Sequence, residues 1–193
     1  MYPWSGRFEW GRDVQVVWDT STATVLNEWL NHCRSWPLFK LFKANVPFDI
    51  IGITETSEQK DTSFLTNVDM EGYDLYHAPT NSAKGGCCIY ANKNLDVSER
   101  NDLKIQNDHF QTTWAEIKNK KSKNILIGCI YRSPNKVHDV TDFLIHLDSI
   151  LKKLTKENKE IYICGDNNID LLKTDKGSFY LWIVTASFYH SAL

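Results

Sequence analysis

The fold is decided by the stretch Glu160-Ile-Tyr-Ile-Cys-Gly-Asp-Asn-Asn-Ile-Asp170. Its apolar part, Ile161–Cys164, predicts a buried strand that ends at Gly165. A carboxylate and two amides follow at once, in Asp166-Asn-Asn168. In sheets with parallel strands, ligands bind beyond the carboxyl ends of the strands, so these polar groups are expected at a binding edge. Gly-Asp-Asn-Asn is also ordinary turn chemistry, and the stretch alone does not decide between the two interpretations.

The same arrangement occurs earlier in the chain. Phe48-Asp-Ile-Ile-Gly-Ile-Thr54 predicts a strand that is apolar enough to be covered on both faces, and Glu55 follows it directly. Alone, Glu55 could equally be a solvated loop acid or a cap. Together, Glu55 and Asp166 would form an oxygen-rich site without cysteine, which suits a hard cation such as Mg²⁺.

A first hairpin-like unit is predicted between residues 73 and 91. Tyr73–His77 alternates between apolar and polar residues, and Cys87–Ala91 returns as a strand after a turn. Gly85-Gly86 in that turn matches neither a phosphate-binding loop nor a dinucleotide fingerprint. Tight backbone packing is the better interpretation of this glycine pair.

A second hairpin and a helix follow. The strands Phe110–Lys118 and Asn124–Tyr131 flank a lysine-rich tip, which is either solvated surface or a weak phosphate contact. Apolar residues from Val140 to Leu154 recur at helical spacing and predict an amphipathic helix. Shorter helical pieces are predicted over residues 21–31 and 33–43, whereas residues 1–20 show no clear period.

Composition restricts the class of protein. The 193 residues are 42% hydrophobic and suit one domain or part of one, and the net charge of -2 gives no bulk attraction to nucleic acid. Five cysteines without zinc-ligand spacing suit a reducing compartment. No stretch resembles a signal peptide or a bilayer span, so an intracellular protein without a membrane partner is expected.

Other side chains are candidates for phosphate chemistry. Tyr131 and Arg132 close the strand before the helix, and a phenol and a guanidinium there could both reach a phosphate. A strand-end aromatic and a surface charge are the simpler interpretations of the same two residues. Asn168 could hold a phosphate oxygen or a neighbouring acid.

Four blocks in this order resemble the endonuclease/exonuclease/phosphatase superfamily, and more narrowly the apurinic-endonuclease-like domain of non-LTR (LINE-type) retrotransposons. The resemblance covers residues from about 31 to about 176. The blocks are Phe48-Asp-Ile-Ile-Gly-Ile-Thr-Glu-Thr56, Gly85-Gly86, Ile127-Gly-Cys-Ile-Tyr-Arg-Ser-Pro-Asn135 and Gly165-Asp-Asn-Asn-Ile-Asp170.

This resemblance implies a four-layer α/β sandwich, in which two mixed sheets pack face to face between helices. It implies an Mg²⁺-dependent DNA endonuclease, with Mn²⁺ as a substitute ion, no small-molecule cofactor and a nuclear location. Glu55 matches the family's metal-binding glutamate, and Tyr131 matches the tyrosine near the scissile phosphate. Asp166 matches the aspartate that positions the attacking water, and Asn168 matches its neighbouring asparagine.

The sequence departs from the family pattern at three places. Asn31, the candidate for the first metal ligand, lies one position early, and His32 stands at that ligand's place. Asn167 replaces an aromatic residue. The family's late Ser-Asp-His segment, which supplies an acid and the catalytic histidine, does not occur before Leu193, and His190 lacks a preceding acid.

From these departures we expect a partial, C-terminally truncated domain over residues 29–176, between divergent segments at 1–28 and 177–193. Activity is expected to be impaired, since losing such a group costs on the order of 10²–10⁴ in rate. One alternative is a non-catalytic remnant with at most weak nucleic-acid binding or a structural role. Another is a phosphatase or phosphodiesterase that acts on a small phosphorylated substrate.

Overall fold

The computed structural model describes residues 5–10, 14–20, 48–56, 70–80, 85–134 and 140–169. Within these ranges the chain forms strands and one helix. In chain order they are β1 (Ser5–Trp10), β2 (Val14–Thr20), β3 (Ile50–Thr54), β4 (Tyr73–Ala78), β5 (Cys87–Asn92), β6 (Val97–Glu99), β7 (Ile105–Gln106), β8 (Phe110–Ile117), β9 (Ile125–Arg132), α1 (Val140–Leu154) and β10 (Glu160–Asp166).

The strands form two mixed sheets. Sheet one has the order β1-β2-β3-β5-β4, in which β2 and β3 are parallel and the other pairs are antiparallel. Sheet two has the order β10-β9-β8-β6, with β7 also paired to β8, and only β9 and β10 are parallel. The predicted α/β sandwich of two mixed sheets is confirmed. The helices predicted over 21–31 and 33–43 lie outside the described residues.

The main core lies between the two sheets. Residues that alternate along β5 and β9 send small or branched side chains into this space, where the sheets approach closely. Cys87 and Cys129 are buried here and act as small apolar residues. The buried members of this core are Ile50, Ala78, Cys87, Ile89, Ala91, Ala115, Ile117, Ile127, Cys129 and Tyr131.

Helix α1 covers the outer face of sheet two, as its periodicity predicts. Its apolar stripe packs on Phe110, Trp114, Leu126 and Ile130. Gly128 leaves room for the ring of Trp114, because a Cβ at this position would collide with that ring. Among the residues described, no helix combines the length and apolar character needed to cross a bilayer. The buried residues of α1 are Phe143, Leu144, Leu147, Ile150, Leu151 and Leu154.

Strand β10 differs from the prediction in two respects. It lies at one end of the strand order of sheet two, so it is only partly covered, and the side chain of Ile163 is 41% exposed. Gly165 does not end the strand but continues it to Asp166, with φ at +129°. A Cβ at Gly165 would collide with the backbone of Ile130, so the close approach of β10 to β9 requires glycine here.

Two further features were not visible in the sequence. β1 and β2 pair with each other, and β2 pairs with β3, so residues without a clear period contribute to sheet one. All eight residues of β8 are buried, including Gln111, Thr113 and Glu116, although the alternating pattern suggests one solvated face. The domain boundaries near residues 28 and 176 stay predictions.

An ion-pair network joins the elements at the end of sheet two where β9 and β10 begin. The guanidinium of Arg100 contacts Glu116 at 3.0 Å and Glu157 at 2.7 Å. Lys159 contacts both carboxylates at 2.6 Å. Hydrogen bonding to Arg100 lowers the pKa of Glu157 to about 2. The network therefore ties α1 and β10 to β8, far from the strand ends where the candidate site lies.

Candidate functional site

The strand ends predicted to carry polar groups meet at one edge of the sandwich. β9 and β10 are parallel, and Asp166 at the end of β10 is paired with Tyr131 near the end of β9. Tyr131 is in turn paired with Gln111 of β8. Because paired residues point to the same face of a sheet, these three side chains form a row that faces sheet one. Glu55 completes the edge from sheet one, directly after β3.

The hydroxyl of Tyr131 connects the two sheets. It donates a hydrogen bond to Oε1 of Glu55 at 3.1 Å, and the Tyr131 side chain is buried. Burial raises the pKa of Tyr131, and the negative charges of Glu55 and Asp166 raise it further. The phenol therefore remains a proton donor at neutral pH. Tyr131 therefore bonds to Glu55 and is the register partner of Asp166.

Glu55 is held in an unusual backbone conformation. Its φ is +57°, in the left-handed region that non-glycine residues seldom adopt. The next residue, Thr56, is buried, and its amide lies 3.5 Å from the carbonyl of Gly86. A Cβ on Gly86 would collide with the Thr56 hydroxyl, so the Gly85-Gly86 pair serves close backbone packing, as expected. Local packing thus holds Glu55 in a conformation that costs roughly 1–2 kcal/mol.

The loop after β10 folds back on its own aspartate. The backbone N–H of Asn168 donates to Oδ1 of Asp166 at 2.8 Å, and Asn168 has a φ of +48°. The Asn168 side-chain Nδ2 donates to the carbonyl of Arg132, also at 2.8 Å. The Asp166 carboxylate therefore has a defined orientation relative to β9. Oδ1 of Asn167 is buried and has no hydrogen-bond partner among the described residues. Asn167 is also the position at which the resemblance implies an aromatic residue.

Arg132 directs two nitrogens of its guanidinium to the loop after β10. Its Nε donates to the carbonyl of Asn167 at 2.7 Å, and its Nη2 donates to the carbonyl of Asn168 at 2.6 Å. The side chain is buried, and burial lowers the pKa of Arg132. Arg132 is therefore a buried contact of this loop and not the surface charge of the simpler interpretation.

Gln111 is a site residue that sequence reasoning missed. It is buried, and its Oε1 accepts a hydrogen bond from the backbone N–H of Gly86 at 2.8 Å. Its Nε2 donates to the carbonyl of Asn107. The sequence did contain a signal for Gln111: along β8 it shares the two-residue spacing of Thr113 and Ala115, which face the core, so a polar side chain at this position must point inward. Gln111 thus ties Gly86, which directly precedes β5 of sheet one, to the row on sheet two.

The carboxylates leave oxygen atoms for a ligand. Only Oε1 of Glu55 and Oδ1 of Asp166 have hydrogen bonds within the described chain. The described residues contain no cluster of three or more His, Cys, Asp or Glu side chains that could hold a metal ion, at this edge or at any other place. Asn31 and His32, the candidates for a further ligand, lie outside the residues that the structure describes. Two carboxylates with added waters remain a donor set that Mg²⁺ accepts.

The lysine-rich tip is remote from this edge. It joins the ends of β8 and β9 at Ile117 and Ile125, whereas the edge lies at Phe110 and Arg132. Seven residues of extended strand separate these ends, which is about 23 Å at 3.3 Å per residue. The tip is exposed and contributes nothing to the geometry of the edge.

Comparison with solved structures identifies similar folds. The endonuclease domain of TRAS1, a telomere-specific non-LTR retrotransposon, matches 97% of this chain and 73% of its own, with 13% identity and a TM-score of 0.63. D. rerio TDP2 complexed with single-strand DNA product matches 89% of this chain and 64% of its own, with 12% identity and a TM-score of 0.56. An endonuclease/exonuclease/phosphatase family protein from Bacteroides thetaiotaomicron matches 93% and 67%, with 14% identity and a TM-score of 0.53.

No protein-family model matches the sequence. No curated protein sequence matches it significantly. The chain spans about two thirds to three quarters of the length of the three solved structures described above. At 12–14% identity these similarities establish the fold alone.

Proposed function

We propose that this chain, which has the fold of the endonuclease/exonuclease/phosphatase superfamily, is a divalent-metal-dependent hydrolase of DNA phosphodiester bonds. One observation carries the proposal: Glu55 and Asp166 come from different sheets and both lie beside Tyr131 at the same edge. Two of the similar proteins, an endonuclease domain and TDP2 bound to a DNA product, support DNA as the substrate.

In this proposal, Glu55 and Asp166 hold the ion. Their unpaired oxygens fit Mg²⁺, or Mn²⁺ in its place, because these ions take one or two carboxylates together with waters and substrate phosphates. When bound, the ion polarises a phosphoryl oxygen and stabilises the charge of an in-line displacement. Asn31 is proposed as a further ligand.

The residues around the ion position the reacting groups. Oδ2 of Asp166 is left for the ion, and the second lone pair of Oδ1, beside the one that accepts from the Asn168 N–H, orients a water molecule and takes its proton as that water attacks phosphorus. The phosphorus–oxygen bond to the leaving nucleotide breaks on the opposite side, and the leaving oxygen takes a proton from solvent water. When substrate binds, the single O–H of Tyr131 turns from Glu55 to a phosphate oxygen, and the N–H of Asn168 Nδ2 that does not bond to the Arg132 carbonyl donates to another phosphate oxygen.

The experiment is nicking of supercoiled plasmid by the purified chain, with Mg²⁺ or with EDTA. The variant is Asp166→Ala, and the matched control is Asp148→Ala, which removes an acid that pairs with Lys152 on helix α1. We expect relaxed circles with Mg²⁺ for the wild type and the control. Asp166→Ala is expected to lower the rate on the order of 10²-fold or more.

Two results would overturn the proposal. Absence of Mg²⁺-dependent nicking by protein with the circular dichroism of a folded α/β domain would favour a non-catalytic remnant. Release of p-nitrophenol from p-nitrophenyl phosphate, without nicking, would instead favour a phosphatase of small substrates. In both cases the fold would stand, since it rests on the two sheets rather than on turnover.

A further inference from the structure

Arg132 holds the loop that carries the site acid. Its guanidinium donates to two consecutive backbone carbonyls, those of Asn167 and Asn168, at 2.7 and 2.6 Å. Asn168 returns a bond from its Nδ2 to the carbonyl of Arg132. A buried cation needs such partners, and hydrogen bonds from a charged donor are about twice as strong as neutral ones. β9 and the loop are therefore joined by three hydrogen bonds.

One peptide group is held at both ends. The carbonyl of Asn167 and the N–H of Asn168 belong to the same planar unit, which cannot twist internally. Nε of Arg132 binds the oxygen end, and Oδ1 of Asp166 accepts from the nitrogen end. A rotation of this peptide would break both bonds together. The positive charge at the oxygen end also polarises the peptide and strengthens the hydrogen bond at its other end.

The geometry points to Arg132 as a positioning residue: through the Asn167–Asn168 peptide it fixes the carboxylate of Asp166 in the orientation that the reaction needs. This inference rests on the proposed function of the same edge. An arginine near a nucleic-acid site would ordinarily contact phosphate. Here two of the three guanidinium nitrogens are bonded to backbone carbonyls, and Arg132 as a whole is only 7% exposed.

Replacing Arg132 by lysine distinguishes a positioning role of the guanidinium from an effect of its positive charge alone. The guanidinium is a planar fork whose nitrogens reach two acceptors at fixed separation, whereas an ammonium is a single point charge on a flexible stem. Arg132→Lys therefore keeps the charge but cannot hold both carbonyls in this geometry. Arg100→Lys is the matched control, because Arg100 is also largely buried and bonded to several acceptors, but at the opposite end of sheet two.

The experiment combines an exchange measurement with kinetics. Hydrogen exchange of the Asn168 amide, measured by NMR without substrate, is expected to be about tenfold faster or more in Arg132→Lys and unchanged in Arg100→Lys. In plasmid nicking, Arg132→Lys is expected to lower kcat about 10- to 100-fold, since a small misplacement of a reacting group can cost 10² in rate. KM and the salt dependence of DNA binding are expected to stay the same.

Contrary outcomes are distinct from one another. A raised KM with a salt slope reduced by about one would mean that Arg132 contacts phosphate, and would overturn the inference. Unchanged exchange of the Asn168 amide in Arg132→Lys would also overturn it.

If Arg132→Lys does not fold, the Nε–H resonance of Arg132 in the wild type decides. A positioning role predicts that this resonance does not shift when duplex DNA is added, whereas a phosphate contact predicts a shift. Loss of nicking in the wild type would sink the proposed function alone, because the exchange measurement needs no turnover.

Discussion

The hydroxyl of Tyr131 on sheet two donates a hydrogen bond to the carboxylate of Glu55 on sheet one, at 3.1 Å. Tyr131 is also the register partner of Asp166. One buried phenol thus lies beside Glu55 and Asp166, which are 111 residues apart in the sequence (166 − 55). This relationship defines the candidate site, because it places carboxylates from both sheets around the same point.

Tyr131→Phe tests this relationship. Without the hydroxyl, Glu55 loses its bond to sheet two, so the free energy of unfolding is expected to fall by about 1–2 kcal/mol. Nicking is expected to slow on the order of 10²-fold, since a hydrogen-bond donor at the phosphate is lost. Urea denaturation and plasmid nicking measure the two effects.

The matched control is Tyr162→Phe. Tyr162 also donates to a glutamate, Glu160, but this bond is exposed and lies at the other end of sheet two. We expect a change within about 0.5 kcal/mol and no effect on nicking. Equal effects of the two variants on nicking would argue against a special role for Tyr131.

Gly165→Ala tests the close approach of β10 to β9. The φ of +129° is unfavourable for alanine, and the added Cβ would collide with the backbone of Ile130. We expect a loss of more than about 3 kcal/mol in the free energy of unfolding, or no folded protein. Gly72→Ala is the control, because Gly72 also has a positive φ, +85°, but no atom within 4 Å of the added Cβ. Its cost is expected to be about 1–2 kcal/mol, so a similar loss in both variants would contradict the steric argument.

The ion-pair network predicts acid sensitivity. The pKa of Glu157 is lowered from 4.5 to about 2 in the folded chain, chiefly by hydrogen bonding to Arg100. A depressed folded-state pKa stabilises the fold above the unfolded-state value, and this contribution disappears as the pH falls from about 4.5 toward 2. Glu157→Gln should therefore lower the free energy of unfolding at pH 7, with a difference from the wild type that shrinks in acid.

Urea denaturation between pH 7 and pH 2 measures this difference. The control is Glu71→Gln, which changes an exposed acid outside the network. It is expected to shift stability by less than about 0.5 kcal/mol at every pH. A Glu157→Gln difference that stays constant with pH would show that the network does not carry the acid sensitivity.

Periodicity in the sequence was sufficient for most elements. The apolar runs and the helical spacing predicted β3, β5, β9 and α1, because burial on a defined face leaves a regular pattern. β1 and β2 carry no such pattern, and they became visible only because β1 pairs with β2 and β2 pairs with β3. The exposure of Ile163 was also unpredictable, since an edge strand and a central strand can share the same apolar composition.

The site was predictable where chemistry depends on side-chain type and position. Acids directly after two strands predicted that Glu55 and Asp166 lie at one edge, and their shared neighbour Tyr131 places them there. The roles of Arg132 and Gln111 depend instead on backbone groups that come close only after folding. Such backbone partners have no signature in the sequence, because every residue carries the same carbonyl and nearly every residue the same N–H.

Calorimetric titration with Mn²⁺ decides whether Glu55 and Asp166 bind the same divalent ion. The proteins are the wild type, Glu55→Gln, Asp166→Asn and the double variant. We predict one ion per chain for the wild type and about tenfold weaker binding or more for each single variant. The double variant should bind still more weakly than either single variant, because both carboxylates act on the same ion. Two ions per chain, a single variant that keeps wild-type affinity, or no binding by the folded wild type would show that the two acids do not share one ion.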